Sequence, residues 1–214
     1  MVENPYALRN NDLSNWVNIH EVEKGDGHEY FCPKCRGRLI AVQPSEPRRQ
    51  WFFRHHRVED CGASRETAIH LMAKQILVEE RKITLPYLAI KPEPEVYGTY
   101  RWHRDVRIFR LIQRQTHNFD SVEDEVWMDG RIPDIVARTG KRKLLIEIVV
   151  THDIDDEKLK WIQERKVSTI KVSLGILPYD ANKEDIRECL LTGMHNDYNI
   201  VWWVHHAKKQ ANQQ

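Results

Sequence analysis

Within "SRETAIHLMAKQILVEERK", residues 64–82, apolar residues recur at three- and four-residue steps: Ala68, Ile69, Met72, Ile76 and Leu77. That period predicts an amphipathic helix with Ser64 as its N-cap, and Pro86, Pro92 and Pro94 close it off. Further on the pattern changes. "IPDIVAR" and "KLLIEIVV" are apolar runs of strand length, parted by Thr139, Gly140 and Lys141, which reads as a hairpin. Leu159, Ile162 and Val167 among charged neighbours predict a helix over about 154–166. "STIKVSL" is a buried type of strand, "NKEDIRECLLTG" a capped helix ending at a glycine, and "YNIVWWVHH" a last strand. Between Tyr97 and Gln115 the β-branched and aromatic content also favours strand.

The order is therefore helix, two or three strands, helix, strand, helix, strand. A hairpin followed by βαβ crossovers predicts an α/β (α+β) fold, a mixed sheet flanked by helices. Residues 1–63 differ: they are rich in Cys, His, Trp and Arg and short of long periodic segments, as expected where a metal substitutes for a large core. The expected organisation is a small metal-binding module over 1–63, a larger domain over 64–206 and a disordered tail over 207–214.

Composition narrows the function classes. The 214 residues can bury a full core, and Lys+Arg 33 against Asp+Glu 32 leaves a net charge of +1, so global charge announces no nucleic-acid partner. Locally, Lys34, Arg36, Arg38, Arg48, Arg49, Arg54 and Arg57 outnumber Glu46, Glu59 and Asp60, and Arg101, Arg104, Arg107, Arg110 and Arg114 form a second basic run. Such clusters can track phosphates, although charge alone favours a solvated face. No apolar run approaches the roughly 20 residues that span a bilayer, and "MVENPYALRNND" lacks the apolar core of a signal peptide. A cytoplasmic protein is expected, without membrane contact.

Four cysteines in a reducing compartment argue against a disulfide framework, and three of them lie within 30 residues of one another. In "CPKC", Cys32 and Cys35 have the spacing that lets two thiolates from one tight turn bind one ion. His55 and Cys61 follow at a distance that completes a tetrahedral zinc set, with His56 competing for the fourth place. Free buried cysteines are the plainer alternative.

Two carboxylates carry the other candidate chemistry. Asp134 opens one strand and Glu147 lies inside the next, with twelve residues between them. A turn over about 139–142 lets them meet across the ladder and share a divalent ion. Phosphodiester hydrolysis uses such an ion to activate water and to neutralise charge on the phosphate, with a lysine nearby. Glu147 in "LLIEIVV" is costly to bury unless a metal or cation meets it. The alternative is an acid at a strand edge, or one paired with an arginine such as Arg131. Glu66, His70 and Lys74 follow one another at i, i+4 and i+8 on one helix face, which reads either as a solvated stripe or as a wall of a site where Glu66 helps hold a metal or water.

In this order the pieces resemble the competence protein CoiA-like proteins of bacteria, in which a small zinc-binding module precedes a nuclease domain of the PD-(D/E)XK superfamily. The matching stretches are "YFCPKCRGRLIA", "WFFRHHRVEDC", "ETAIHLMAKQIL", "RIPDIV" and "LLIEIVVTHDIDDEK", and the resemblance as a whole spans roughly residues 6–174. The resemblance implies a restriction-endonuclease-like core, zinc on Cys32, Cys35, His55 and Cys61, and Asp134 and Glu147 as ligands of catalytic Mg or Mn. It also implies that the helix with Glu66, His70 and Lys74 adjoins the active-site strands. The departure is Val149, where the superfamily's usual lysine would stand. Lys158 at the start of the following helix is the first candidate to replace it and Lys74 the second, with Thr151 or His152 adding polar contacts. The implied activity is a metal-dependent nuclease acting on DNA. Two readings stand beside it: a degenerate nuclease fold that binds nucleic acid or a protein partner, and a zinc-stabilised adaptor. A homo-oligomer is left open.

Overall fold

A computed structural model of the chain describes residues 4–46, 49–56, 61–90, 109–192 and 199–204. Arg48, Arg57, Glu59, Asp60, most of the basic run from Arg101, Pro92, Pro94 and the tail over 207–214 lie outside them. In chain order the first strands are β1 (Tyr6–Arg9), β2 (Trp16–Asn18), β3 (Gly25–Phe31), β4 (Arg38–Val42) and β5 (Phe52–His55), followed by helix α1 (Arg65–Glu80). Then come β6 (Lys82–Leu85), β7 (Leu88–Ile90), β8 (Phe109–Ile112), β9 (Gln115–Asn118), β10 (Ser121–Asp124), β11 (Ile135–Thr139) and β12 (Arg142–Val149). Helix α2 (Asp156–Arg165), strand β13 (Ser168–Ser173), helix α3 (Lys183–Leu191) and strand β14 (Ile200–Val204) complete the chain. The chain divides into two compact units, one of Met1–Glu80, Ile148–Asp153 and Ser173–Leu190, the other of Arg81–Glu147, Ile154–Val172 and Leu191–Gln214.

The first unit holds an antiparallel sheet in the order β2-β1-β3-β4-β5. Ala7, Val17, Ile19, Tyr30, Leu39, Ala41 and Phe53 form its apolar core, with Cys32 and Ala63. The expectation that a metal replaces a core here is corrected by this sheet. Its strands are three to seven residues long, too short for period-two alternation to stand out between charged residues. Helix α1 forms where its period predicts, and Ser64 Oγ accepts the Thr67 N–H at 3.2 Å as its cap. Asn182 caps α3: its Oδ1 accepts the Asp185 N–H at 3.0 Å, and Asp185 Oδ2 accepts the Asn182 N–H at 2.7 Å.

The second unit is built on a sheet in the order β10-β11-β12-β13-β14. Strands β11 and β12 pair from Ile135↔Ile146 to Thr139↔Arg142 around a two-residue turn. Gly140 takes φ +55 in that turn, a conformation that costs glycine nothing. Helix α2 joins β12 to its neighbour β13, as in a crossover, and packs Trp161 and Ile162 on Val136 and Leu145. The sheet is mixed and helix-flanked, as expected, with one correction. Strand β14 returns antiparallel to β13, so the second helical connection is not a parallel crossover. Strands β6 and β9, and β7 and β8, form two small antiparallel pairs.

Candidate metal centre and carboxylate site

The zinc-spaced residues converge. Ligand atoms of Cys32, Cys35, His55 and Cys61 all lie within 4.8 Å of one another. Cys32 Sγ stands 3.6 Å from Cys61 Sγ, and His55 Nε2 stands 3.3 Å from Cys35 Sγ and 3.5 Å from Cys61 Sγ. A tetrahedral zinc with normal bond lengths spaces its sulfurs about 3.8 Å apart and sulfur from nitrogen about 3.6 Å apart. The cluster could therefore hold a zinc ion, and four protein ligands leave no open position. The turn "CPKCRG" explains the convergence. Arg36, at φ +62, donates its N–H to the Cys32 carbonyl at 2.9 Å, and the Gly37 N–H points at Cys35 Sγ at 3.4 Å. Burial pushes the Cys32 thiol up to about 12. At Cys35 burial acts the same way, but the Gly37 N–H and the neighbouring thiols outweigh it and lower the value. His56, the residue after β5, is not part of the cluster.

The carboxylates meet as the hairpin register requires. One step beyond Ile135↔Ile146, Asp134 comes opposite Glu147, the separation at which cross-strand side chains interact. Asp134 is half-buried and Glu147 is 1% exposed, on a strand whose residues from Leu144 to Ile148 are all buried. Lys158 Nζ stands 2.5 Å from Glu147 Oε2. Neither Glu147 oxygen has a partner of good hydrogen-bond geometry among the described residues. Burial and the facing Asp134 raise the Glu147 carboxyl to about 7, and Lys158 offsets part of that rise.

Helix α2 delivers Lys158 for reasons visible in its sequence. Asp155 Oδ1 caps the helix by accepting the Lys158 N–H at 2.6 Å. From that start Lys158 shares a face with Trp161 and Ile162, the residues seated on the sheet. A cation in a first turn opposes the helix dipole, by about 0.3–1 kcal/mol, so Glu147 and not the helix accounts for its place. Arg131 is not the partner of Glu147: its guanidinium reaches Glu157 at 2.7 Å and Asp155 at 3.8 Å.

Glu66, His70 and Lys74 belong to the first unit. The stripe is not solvated, since Glu66 and His70 are half-buried and Lys74 is buried. Glu66 lies 3.5 Å from His152 Nδ1. Burial acts against its ionisation, but hydrogen bonds from Thr151 and the His152 ring outweigh burial and hold the carboxyl below its ordinary value. Thr151 and His152 thus serve Glu66.

A feature outside the expected set lies before Asp134. Met128 and Arg131 pair across a tight turn through Asp129 and Gly130, both at positive φ. Asp-Gly is the strongest short hairpin signal, so this element was legible in "VWMDGRIP". No helix among the described residues is long and apolar enough to cross a membrane. Comparison of the chain with protein-family models, with curated proteins and with solved structures finds no match.

Proposed function

We propose that the chain is a divalent-metal-dependent nuclease that hydrolyses phosphodiester bonds in DNA, with a restriction-endonuclease-like core and a structural zinc module of the CoiA-like kind. The supporting observation is the trio of Asp134, Lys158 and the buried Glu147. Two facing carboxylates, one of them buried with under-satisfied oxygens, fit a hard divalent cation such as Mg or Mn, which needs only one or two carboxylates and keeps several waters. When bound, that cation supplies Lewis acidity at the phosphate and an activated water. Asp134 and Glu147 would hold it, and Lys158, 2.5 Å from Glu147 Oε2, would donate to a phosphate oxygen or orient the water.

A second reading, a degenerate nuclease fold that only binds nucleic acid or a protein partner, draws on the same ion pair. Lys158 neutralises Glu147 without any metal, which a retired site also requires. The two readings part in one experiment. Wild type, Asp134→Ala and Glu147→Ala are offered a panel of DNA and RNA with Mg or Mn. The nuclease reading requires cleavage by wild type that both variants lose; equal cleavage by all three removes this site, and binding without cleavage selects the second reading.

A further inference from the structure

Trp127 is 68% exposed and Ile132 is 48% exposed, in a segment whose neighbours Val126 and Met128 pack against the core of the second unit. The two exposed residues flank a tight hairpin. Met128 and Arg131 form a hydrogen-bonded pair, with the Met128 N–H to the Arg131 carbonyl at 2.8 Å and the Arg131 N–H to the Met128 carbonyl at 3.1 Å. Trp127 and Ile132 flank this isolated pair, one on each arm of the hairpin.

The hairpin is braced from behind. The Trp161 indole N–H and the Arg165 guanidinium both donate to the Asp129 carbonyl, at 3.2 and 3.0 Å, and the Arg165 guanidinium stacks on Trp161 at 4.5 Å. Arg131 adds its ion pair with Glu157. An aromatic side chain held in water on a fixed support has lost its backbone entropy in advance, which favours binding over packing as its role. Ile132 is two residues from Asp134, so its Cα lies within about 7 Å of the acid's Cα. The Met128–Arg131 pair ties Trp127, on the opposite arm, to the same stretch of chain.

We propose that Trp127, backed by Ile132, is a stacking platform for an unpaired base of the DNA strand next to the scissile phosphate, so that the preferred substrate is single-stranded or frayed there. This rests on the nuclease site proposed above. A nucleobase fits better than a protein surface. Two side chains offer far less than the ~800 Å² per partner of a stable protein interface. Base–aromatic stacking needs only one ring and tolerates any base.

Affinity for a single-stranded DNA oligonucleotide of about 12 nucleotides, measured in magnesium-free buffer, tests this with wild type, Trp127→Ala and Trp127→Phe. Stacking predicts a loss of about 5- to 100-fold for the alanine variant and near-wild-type binding for the phenylalanine variant. On a base-free deoxyribose–phosphate strand, wild type and Trp127→Ala should bind alike. Equal DNA binding by wild type and Trp127→Ala overturns the proposal, as does an alanine penalty that persists on the base-free strand, or a wild-type dimer that Trp127→Ala turns to monomer. If wild type cleaves in a Glu147-dependent way and Trp127→Ala matches it in binding and KM, the platform fails and the nuclease stands. If Trp127 governs binding but nothing is cleaved, the platform stands and the nuclease fails. Absence of DNA binding by wild type removes both.

Discussion

Lys158 Nζ lies 2.5 Å from Oε2 of Glu147, so the cation that meets this buried carboxylate comes from the first turn of α2 and not from the strand position Val149. Replacement of the ammonium by a thioether, Lys158→Met, keeps the length that packs beside the sheet and removes the charge. Metal-dependent cleavage should fall by about 10²–10³-fold, the usual cost of one donor to transition-state charge. Initial rates at saturating Mg would show it, and a variant that retains full rate would exclude Lys158 from the chemistry.

Glu147 should make stability depend on pH in the sense opposite to most carboxylates. Its folded value is raised from 4.5 to about 7, so between those values the folded state binds the proton that the unfolded state releases. The contribution is fully present below 4.5 and is lost as pH rises through about 7, with a span of about 3 kcal/mol at most. Thermal melts of wild type and Glu147→Gln in magnesium-free buffer, from pH 4.5 to 8, isolate it. The wild type should lose stability relative to Glu147→Gln as pH rises, and added Mg should reverse that loss at pH 8. A pH-independent difference would show that Glu147 stays charged throughout.

The Cys3His cluster should carry about one zinc per chain. Metal analysis of His55→Ala and Cys61→Ser should show the zinc lost, and their melting temperatures should fall, because binding energy at such sites is folding energy. His56→Ala should keep the metal. Zinc retained by His55→Ala would transfer the fourth ligand to His56.

What was legible in advance depended on how far a pattern runs. The sixteen residues of α1 and the hairpin around Gly140 repeat their periods long enough to be read, and the hairpin register alone brings Asp134 opposite Glu147. The sheet of the first unit was not legible, because β1 and β2 together offer seven residues and their apolar face is assembled from five separate strands. The antiparallel return of β14 is likewise a tertiary choice that no local period encodes. Arg131 illustrates the limit for the site. The sequence offered it as a partner for Glu147, yet Glu157 and Asp155 at the start of α2 claim it and hold the Asp129 hairpin against the helix.

If Lys158 serves as a charge and not as part of a particular helix, the charge should be movable. Side chains two residues apart on a strand share a face, so position 149 looks the same way as Glu147, and Val149 is half-buried, a setting in which a lysine stem can run outward to keep its ammonium in water. In the Lys158→Met background, Val149→Lys should restore part of the lost cleavage, about tenfold or more over the single variant, whereas Val149→Met should restore none. In wild type the same Val149→Lys change should help little or harm, since a second ammonium would compete with Lys158 and with the metal for one carboxylate. Rates for the four proteins form a double-mutant cycle. Strong coupling between positions 149 and 158 would mean that both side chains address Glu147, and additive effects would mean that Lys158 acts through α2 alone.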